Sequence, residues 1–329
     1  MIRFGIIGTN TITERFLDAA FLSSEFQFNA VYSRASETGK AFGDKYGVVN
    51  IYTDIDEMIM SKNIDAVYIA SPTSFHFSQA KKFLEKKIPV LCEKPLASNS
   101  KEVEELIKLS KKYNTLFMEA IRTVHNPNFN VIKENLYKLG ALRGVYANFC
   151  QYSSRYDKFK EGIVLNAFRP EFSNGSTMDI GLYPFYFVIG LFGEPLNCKS
   201  TGIILSSGVD GAGTSILQYS DFIATVNHSK ISNSYIPSEI VGEKGSMIIQ
   251  NLSNLEKITL KLKNGTEEEL TTTRVENDMY YEIQEFIKNI TQKNIESFEN
   301  PHHVSLKVSK IMEMSRKEIG VYFPVEKEG

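Results

Sequence analysis

The chain is poor in net charge, in cysteine and in long apolar runs, and each shortage removes a class of function. Its 37 Lys and Arg against 39 Asp and Glu leave a formal charge of -2. Neither nucleic acid nor an anionic membrane surface is therefore an expected partner. Cys92, Cys150 and Cys198 are an odd number and lie far apart, two of them in apolar strand-like runs. That pattern points to reduced thiols in a cytoplasmic protein and against a disulfide framework. The five histidines, His302-His303 among them, lack metal-ligand spacing, and no metal is expected. The longest apolar stretch, Leu182 to Phe192, contains Pro184 and is too short to span a bilayer. Met1-Ile2-Arg3-Phe4-Gly5 leads straight into a strand, with no signal-peptide architecture. No internal repeat or low-complexity segment is present, and 329 residues suit two domains of ordinary size.

What the first part of the chain does have is alternation. Arg3 to Ile7 reads as a strand, followed at once by Gly8-Thr9-Asn10-Thr11-Ile12-Thr13 and a helix to about Leu22. Strand, turn and helix in that order are the setting in which backbone N–H groups at a helix N-terminus hold a pyrophosphate. Only the first glycine of G-x-G-x-x-G is kept; Asn10 and Thr13 take the second and third places. Asparagine tolerates left-handed backbone, so the turn remains feasible. Phe28 to Tyr32 is the second strand, ending at Ser33-Arg34-Ala35-Ser36, with Ser36 expected to cap the next helix. An NAD site normally carries an acid at this strand end, whereas a hydroxyl and an arginine suit a 2′-phosphate.

Asp54-Ile55-Asp56-Glu57 reads as a capping box. Asp65 to Ala70 is a strand, and Ser71-Pro72-Thr73-Ser74 turns into a helix from about Phe75 to Lys87. His76 falls in the first turn of that helix, facing the crevice at the strand ends. Ile88 to Glu93 is a strand buried on both faces, and it stops at Glu93-Lys94-Pro95. Pro95 biases Lys94 toward extended backbone and admits a cis bond. Ser100 caps a further helix, and Leu116 to Glu119 closes the set. The alternation predicts an α/β fold, a doubly wound parallel sheet over residues 1–121.

After Ala120 the character changes. A helix opens at Pro127, and strand-like runs follow: Val145 to Tyr152, Lys199 to Leu205, Ser215 to Tyr219, Phe222 to His228, Ile236 to Val241 and Met247 to Gln250. Leu255 to Leu262 and Glu267 to Thr272 flank Asn264-Gly265, a strong hairpin signal. One helix from about Ser176 to Leu191 interrupts them, and amphipathic helices near Met279 to Ile290 and Val304 to Glu318 close the chain. Residues 122–329 thus read as an α+β domain on a large, mostly antiparallel open sheet. Asp179 and Tyr183, four apart, fall on one face of the interrupting helix.

The fingerprint variant, Ser71-Pro72-Thr73-Ser74-Phe75-His76, Cys92-Glu93-Lys94-Pro95, Phe168-Arg169-Pro170, Met178-Asp179-Ile180-Gly181-Leu182-Tyr183 and Gly242-Glu243-Lys244-Gly245 occur in this order. Together they resemble the Gfo/Idh/MocA oxidoreductase family across essentially the whole chain. The tyrosine at position 183 is similar to the dihydrodiol and D-xylose dehydrogenase branch, which uses NADP. The resemblance implies a Rossmann domain and a substrate-binding domain whose open sheet joins a homodimer or higher homo-oligomer. It implies NADP-dependent (NAD possible) hydride exchange with a sugar, polyol or related hydroxy compound. Gly8, Thr9, Asn10, Thr11, Ile12, Ser33, Arg34, Ser71, Pro72, Thr73, His76, Glu93 and Lys94 are the expected cofactor-binding residues. The expected catalytic residues are Lys94, Tyr183 and Asp179. Tyr183 serves as acid/base, Lys94 shares the proton or polarises the oxygen, and Asp179 organises the network. The exchange of roles between Lys94 and Tyr183 stays open. Arg169 and Tyr183 are expected to touch substrate. The chain departs from the family pattern at Asn10, Thr13, at Asn174 in a usually paired-glycine position, and at Val124 where relatives often carry arginine. A non-catalytic nucleotide sensor on the same fold is the alternative, and it would be expected to lack the lysine or its acid partner.

Overall fold

Short apolar strands alternating with amphipathic helices must be covered on both faces, and a parallel sheet with helices on each side does that. The structure, a computed structural model, describes residues 1–326. Its first strands and helices are β1 (Ile2–Ile7), α1 (Thr11–Ala20), β2 (Phe26–Tyr32), α2 (Ser36–Tyr46), β3 (Asn50–Tyr52) and α3 (Ile55–Met60). They continue with β4 (Ala66–Ile69), α4 (His76–Glu85), β5 (Val90–Glu93), α5 (Ser100–Tyr113) and β6 (Phe117–Ala120). The six strands pair in parallel in the order β3-β2-β1-β4-β5-β6. This is the doubly wound dinucleotide order, with its switch point between β1 and β4.

Local signals set most of these boundaries. Asn10 caps α1 and Asp54 caps α3, each accepting two backbone N–H groups. Two expected caps are displaced. Asn99, not Ser100, accepts the Glu102 N–H at the head of α5. At α2 the N-cap position is Ala35, and no side chain caps the helix, so Ser36 is its first helical residue.

The next elements are α6 (Arg122–His125), α7 (Pro127–Asn135), β7 (Leu142–Cys150), α8 (Tyr156–Lys160) and α9 (Leu182–Phe192). Seven strands then run in sequence: β8 (Asn197–Ile204), β9 (Asp210–Gln218), β10 (Ile223–Ser229), β11 (Ser238–Gly242), β12 (Gly245–Gln250), β13 (Lys257–Leu262) and β14 (Glu267–Glu269). The eight-stranded sheet has the order β14-β13-β12-β11-β7-β10-β9-β8, antiparallel except at β7–β10. The Asn264-Gly265 hairpin joins β13 to β14 as expected, with Gly265 at φ 90. The helix expected from Ser176 to Leu191 is two pieces, a π-helical turn at Thr177–Gly181 and then α9.

Two helices complete the chain, α10 (Met279–Gln292) and α11 (His302–Ile319). Backbone contacts divide the protein into Met1–Ile121 with Val275–Ser305, and Arg122–Arg274 with the chain from Leu306. The expectation of one continuous segment 122–329 therefore needs correction. Met279, Ile283 and Phe286 of α10 join Phe4, Phe16 and Phe26 in the core of the first unit. The Phe4 and Phe286 ring centroids lie 5.9 Å apart. An amphipathic pattern shows that a helix has a buried face, but not which sheet will bury it.

Candidate active site

In the first unit the candidate residues gather at the carboxyl ends of β1, β2, β4 and β5. Gly8 ends β1 at φ 110, and a Cβ there would lie 2.7 Å from the Ala70 carbonyl oxygen. Only glycine fits that combination of positive φ and close approach. Asn10, in the second glycine place, uses its side chain twice. Its Oδ1 accepts from Ile12 N (3.0 Å) and Thr13 N (3.2 Å), and its Nδ2 donates to Ala70 O (2.8 Å). The Ile12 N–H is thus directed at the cap. Thr13 is fully buried beneath it.

Ser33 is buried, whereas Arg34 is exposed with its guanidinium 5.6 Å from the Phe75 ring centroid. Pro72 leads into a short 3-10 turn at Thr73–Phe75. Ser71 donates its hydroxyl to Gln79 Oε1 (2.6 Å). His76 does not face a crevice: it is buried, with Nδ1 2.9 Å from Pro95 O and Nε2 2.7 Å from Ser71 O. Both neighbours are acceptors, so a neutral imidazole donates to one of them while it packs between the loop after β4 and the loop after β5. Burial holds its pKa below the ordinary value, and the nearby Lys94 ammonium adds to that effect.

The Lys94–Pro95 peptide is cis. Glu93 is buried and accepts from Tyr68 Oη (2.6 Å) and from the Lys94 N–H (3.2 Å). Tyr68 stacks on Phe16 with centroids 3.7 Å apart. Burial lifts the Tyr68 phenol well above its ordinary pKa, so it remains an O–H donor to the carboxylate. Among the expected residues, Glu93 and His76 thus fix the backbone on either side of Lys94.

In the second unit Asp179 lies on the π-helical turn and Tyr183 in the first turn of α9. The Tyr183 ring packs edge-on against Phe149 (5.3 Å), and the Arg122 guanidinium lies 5.3 Å from its centroid. Arg122 also donates to Asn254 Oδ1. A guanidinium thus lies over the phenol ring, two residues before Val124 in the chain. Asp179 Oδ2 lies 2.9 Å from Nζ of Lys230, a residue that sequence reasoning missed. Arg169 is exposed, its Nε 3.4 Å from Glu171 Oε2 and its guanidinium 5.3 Å from the Phe172 centroid. No group of His, Cys, Asp or Glu able to hold a metal occurs among the described residues.

Gly8 lets the β1–α1 turn close against the Ala70 carbonyl and start α1 directly after the strand, and a strand, tight turn and helix N-terminus in that order fit a dinucleotide pyrophosphate. That turn, this strand order and a lysine at the end of β5 define a dinucleotide-linked oxidoreductase. The chain belongs to the Gfo/Idh/MocA oxidoreductase family and is an NAD(P)-dependent enzyme acting on CH–OH groups. The profile for "Oxidoreductase family, NAD-binding Rossmann fold" matches residues 2–121. The chain is 47% identical to scyllo-inositol 2-dehydrogenase (NADP(+)) IolU of Bacillus subtilis (strain 168), over 99% of each chain. It is 26% identical to trans-1,2-dihydrobenzene-1,2-diol dehydrogenase of Danio rerio, over 98% of each. Among solved structures, KijD10, a 3-ketoreductase from Actinomadura kijaniata, superposes with a TM-score of 0.86 at 19% identity, covering 98% of this chain and 99% of that one. No described helix is long and apolar enough to cross a membrane.

Proposed function

We propose that this protein oxidises one secondary hydroxyl of a cyclitol or closely related sugar with NADP, with NAD as a poorer alternative. The observation that carries the substrate class is 47% identity to a scyllo-inositol dehydrogenase along the whole chain. The cofactor preference rests on Ser33-Arg34 at the end of β2, where no acid stands to repel a 2′-phosphate. Gly8, Thr9, Asn10 and Thr11 would hold the pyrophosphate, with Ile12 fixing the turn through its N–H to Asn10 Oδ1. Ser33 and Arg34 serve the adenosine ribose, and Ser71, Pro72, Thr73, His76 and Glu93 shape the loops around the cofactor. Bound NADP supplies the hydride acceptor.

The chain's own groups handle the proton. Tyr183 takes the hydroxyl proton, Lys94 shares it or polarises the oxygen, and Asp179 organises the turn that leads into Tyr183. Arg122 sets a permanent cation over the phenol ring. Arg169, paired with Glu171, is a peripheral substrate contact. Lys94→Met and Tyr183→Phe are each expected to lower kcat by about 10²- to 10⁴-fold, the worth of a positioned acid/base group. NADPH affinity should change little in Tyr183→Phe. A panel of inositols, aldoses and trans-dihydrodiols, followed by NADPH absorbance, tests the substrate class. Turnover confined to compounds other than cyclitols and sugars would reject it.

The open face of the second sheet supports a homodimer. Ile216, Thr225, Tyr146, Glu239 and Ile248 are consecutive register partners across it, and Tyr146 and Ile216 are exposed. A monomeric mass by light scattering at micromolar concentration would count against this. The three free cysteines fit a reducing cytoplasm, which cell fractionation can check.

A further inference from the structure

The turn that carries Asp179 is held by residues from two strands that no sequence spacing connects to it. Asp210, the first residue of β9, accepts through Oδ2 from Thr177 N (2.6 Å) and Thr177 Oγ1 (2.7 Å). Its other oxygen fills the space of a Cβ at Gly175, whose φ is 142. His228 on β10 brings Nδ1 to 2.9 Å from Ser176 Oγ. One residue beyond β10, Lys230 points inward. Its Nζ meets Asp179 Oδ2 (2.9 Å), Ala167 O (2.9 Å) and Asn174 Oδ1 (3.2 Å), and lies 5.0 Å from the Phe168 ring centroid. Three acceptors match the three N–H groups of an ammonium.

The pair is lopsided. The Lys230 side chain is 2% exposed and that of Asp179 is 36% exposed. A buried ammonium is costly unless paired and fully hydrogen-bonded, and here both conditions are met. Asp179 is the only carboxylate in that acceptor set, and its outward side is within reach of solvent and small molecules. Asn174 supplies the third acceptor.

We infer that Lys230 is a positioning residue for the reaction: it fixes the rotamer of the Asp179 carboxylate and acts only through that group. It touches neither substrate nor cofactor. The inference rests on the reading that Asp179 belongs to the catalytic network. A solely architectural lysine would affect folding and leave the turnover of folded enzyme unchanged. A positioning lysine affects turnover in the folded enzyme, because a small misplacement of a reacting constellation costs on the order of 10²-fold.

The test is a double-mutant cycle on the full chain with NADP, comparing Lys230→Met, Asp179→Asn and the double variant. Lys230→Met is expected to lower kcat by about 10²-fold, with the substrate KM and NADPH affinity unchanged. The double variant should be no slower than Asp179→Asn alone. Wild-type kcat in folded Lys230→Met, or losses that multiply in the double variant, would overturn the inference. Wild-type kcat in Asp179→Asn would instead overturn the reading of the site. Melting of the cofactor-free proteins gives a readout independent of turnover. Asp179→Asn should melt below the double variant, because it alone leaves a buried ammonium without counter-charge; the reverse order counts against the pairing. Where Lys230→Met does not fold, Asn174→Gly decides: a several-fold lower kcat at unchanged KM supports the inference, and unchanged kcat overturns it.

Discussion

Lys94 in the first unit and Asp179 in the second are held by different means. Around Lys94 the braces are uncharged or directed at backbone: His76 spans two carbonyls, and Asn10 ties the β1–α1 turn to Ala70. Around Asp179 the brace is a buried ammonium, and the C-terminal tail of the same unit is closed by a second buried pair, Arg316 with Glu326. The difference has consequences. Neutral braces lose one hydrogen bond when truncated, about 0.5–1.5 kcal/mol each. A buried ion pair that loses one partner leaves an uncompensated charge, which costs about 3–5 kcal/mol. Charge-removing substitutions should therefore cost more beside Asp179 and at the tail than truncation of the braces beside Lys94.

The largest expected effect is at the tail. Arg316 is fully buried, donates to both Glu326 oxygens at 2.8 Å, and stacks on Phe323 at 4.2 Å. Glu326→Gln should destabilise by about 3–5 kcal/mol, read as a fall in melting temperature. Burial alone would raise the Glu326 pKa, but the bonds from Arg316 outweigh it and bring it from 4.5 to about 2. A carboxylate depressed in the folded state stabilises above its unfolded value and loses that contribution as pH falls toward its folded value. Wild type should thus lose stability between pH 4.5 and about 2, and Glu326→Gln should lose less across that window. Identical acid profiles would remove the basis of the comparison.

A smaller effect is expected at the neutral brace. Asn10→Ala removes the cap of α1 and the bond to Ala70, for roughly 1–2 kcal/mol, and should also weaken NADPH binding by loosening the turn. A loss as large as that in Glu326→Gln would show that the two kinds of brace do not differ. The smallest effect is at the exposed Arg34. A charged hydrogen bond contributes about 1.5–3 kcal/mol, and exposure pulls this to the low end. Arg34→Ala should weaken NADPH about tenfold and NADH hardly at all, measured by titration at one ionic strength.

What could be read from the chain was local. Periodicity placed α1, α4, α10 and α11 to within a few residues, Asn264-Gly265 announced its hairpin, and Gly8 announced the turn after β1, because each signal depends on residues that are neighbours in sequence. The displaced caps at Ala35 and Asn99 show the limit of that resolution: adjacent Ser, Asn and Ala positions compete on small differences of backbone angle. Asp179 and Tyr183 were legible as chemistry, but the helix expected to align them is interrupted by a π-helical turn. The tertiary structure alone decided the rest. Lys230 reaches Asp179 because β10 pairs with β7 and β9 in one register and delivers its next residue beneath the turn. His76 is buried because two βα loops close over it, and α10 joins the first unit because its apolar face completes that core. These are contacts between segments distant in sequence, selected by which arrangement buries apolar surface and gives buried polar groups their partners. No window of consecutive residues carries that information.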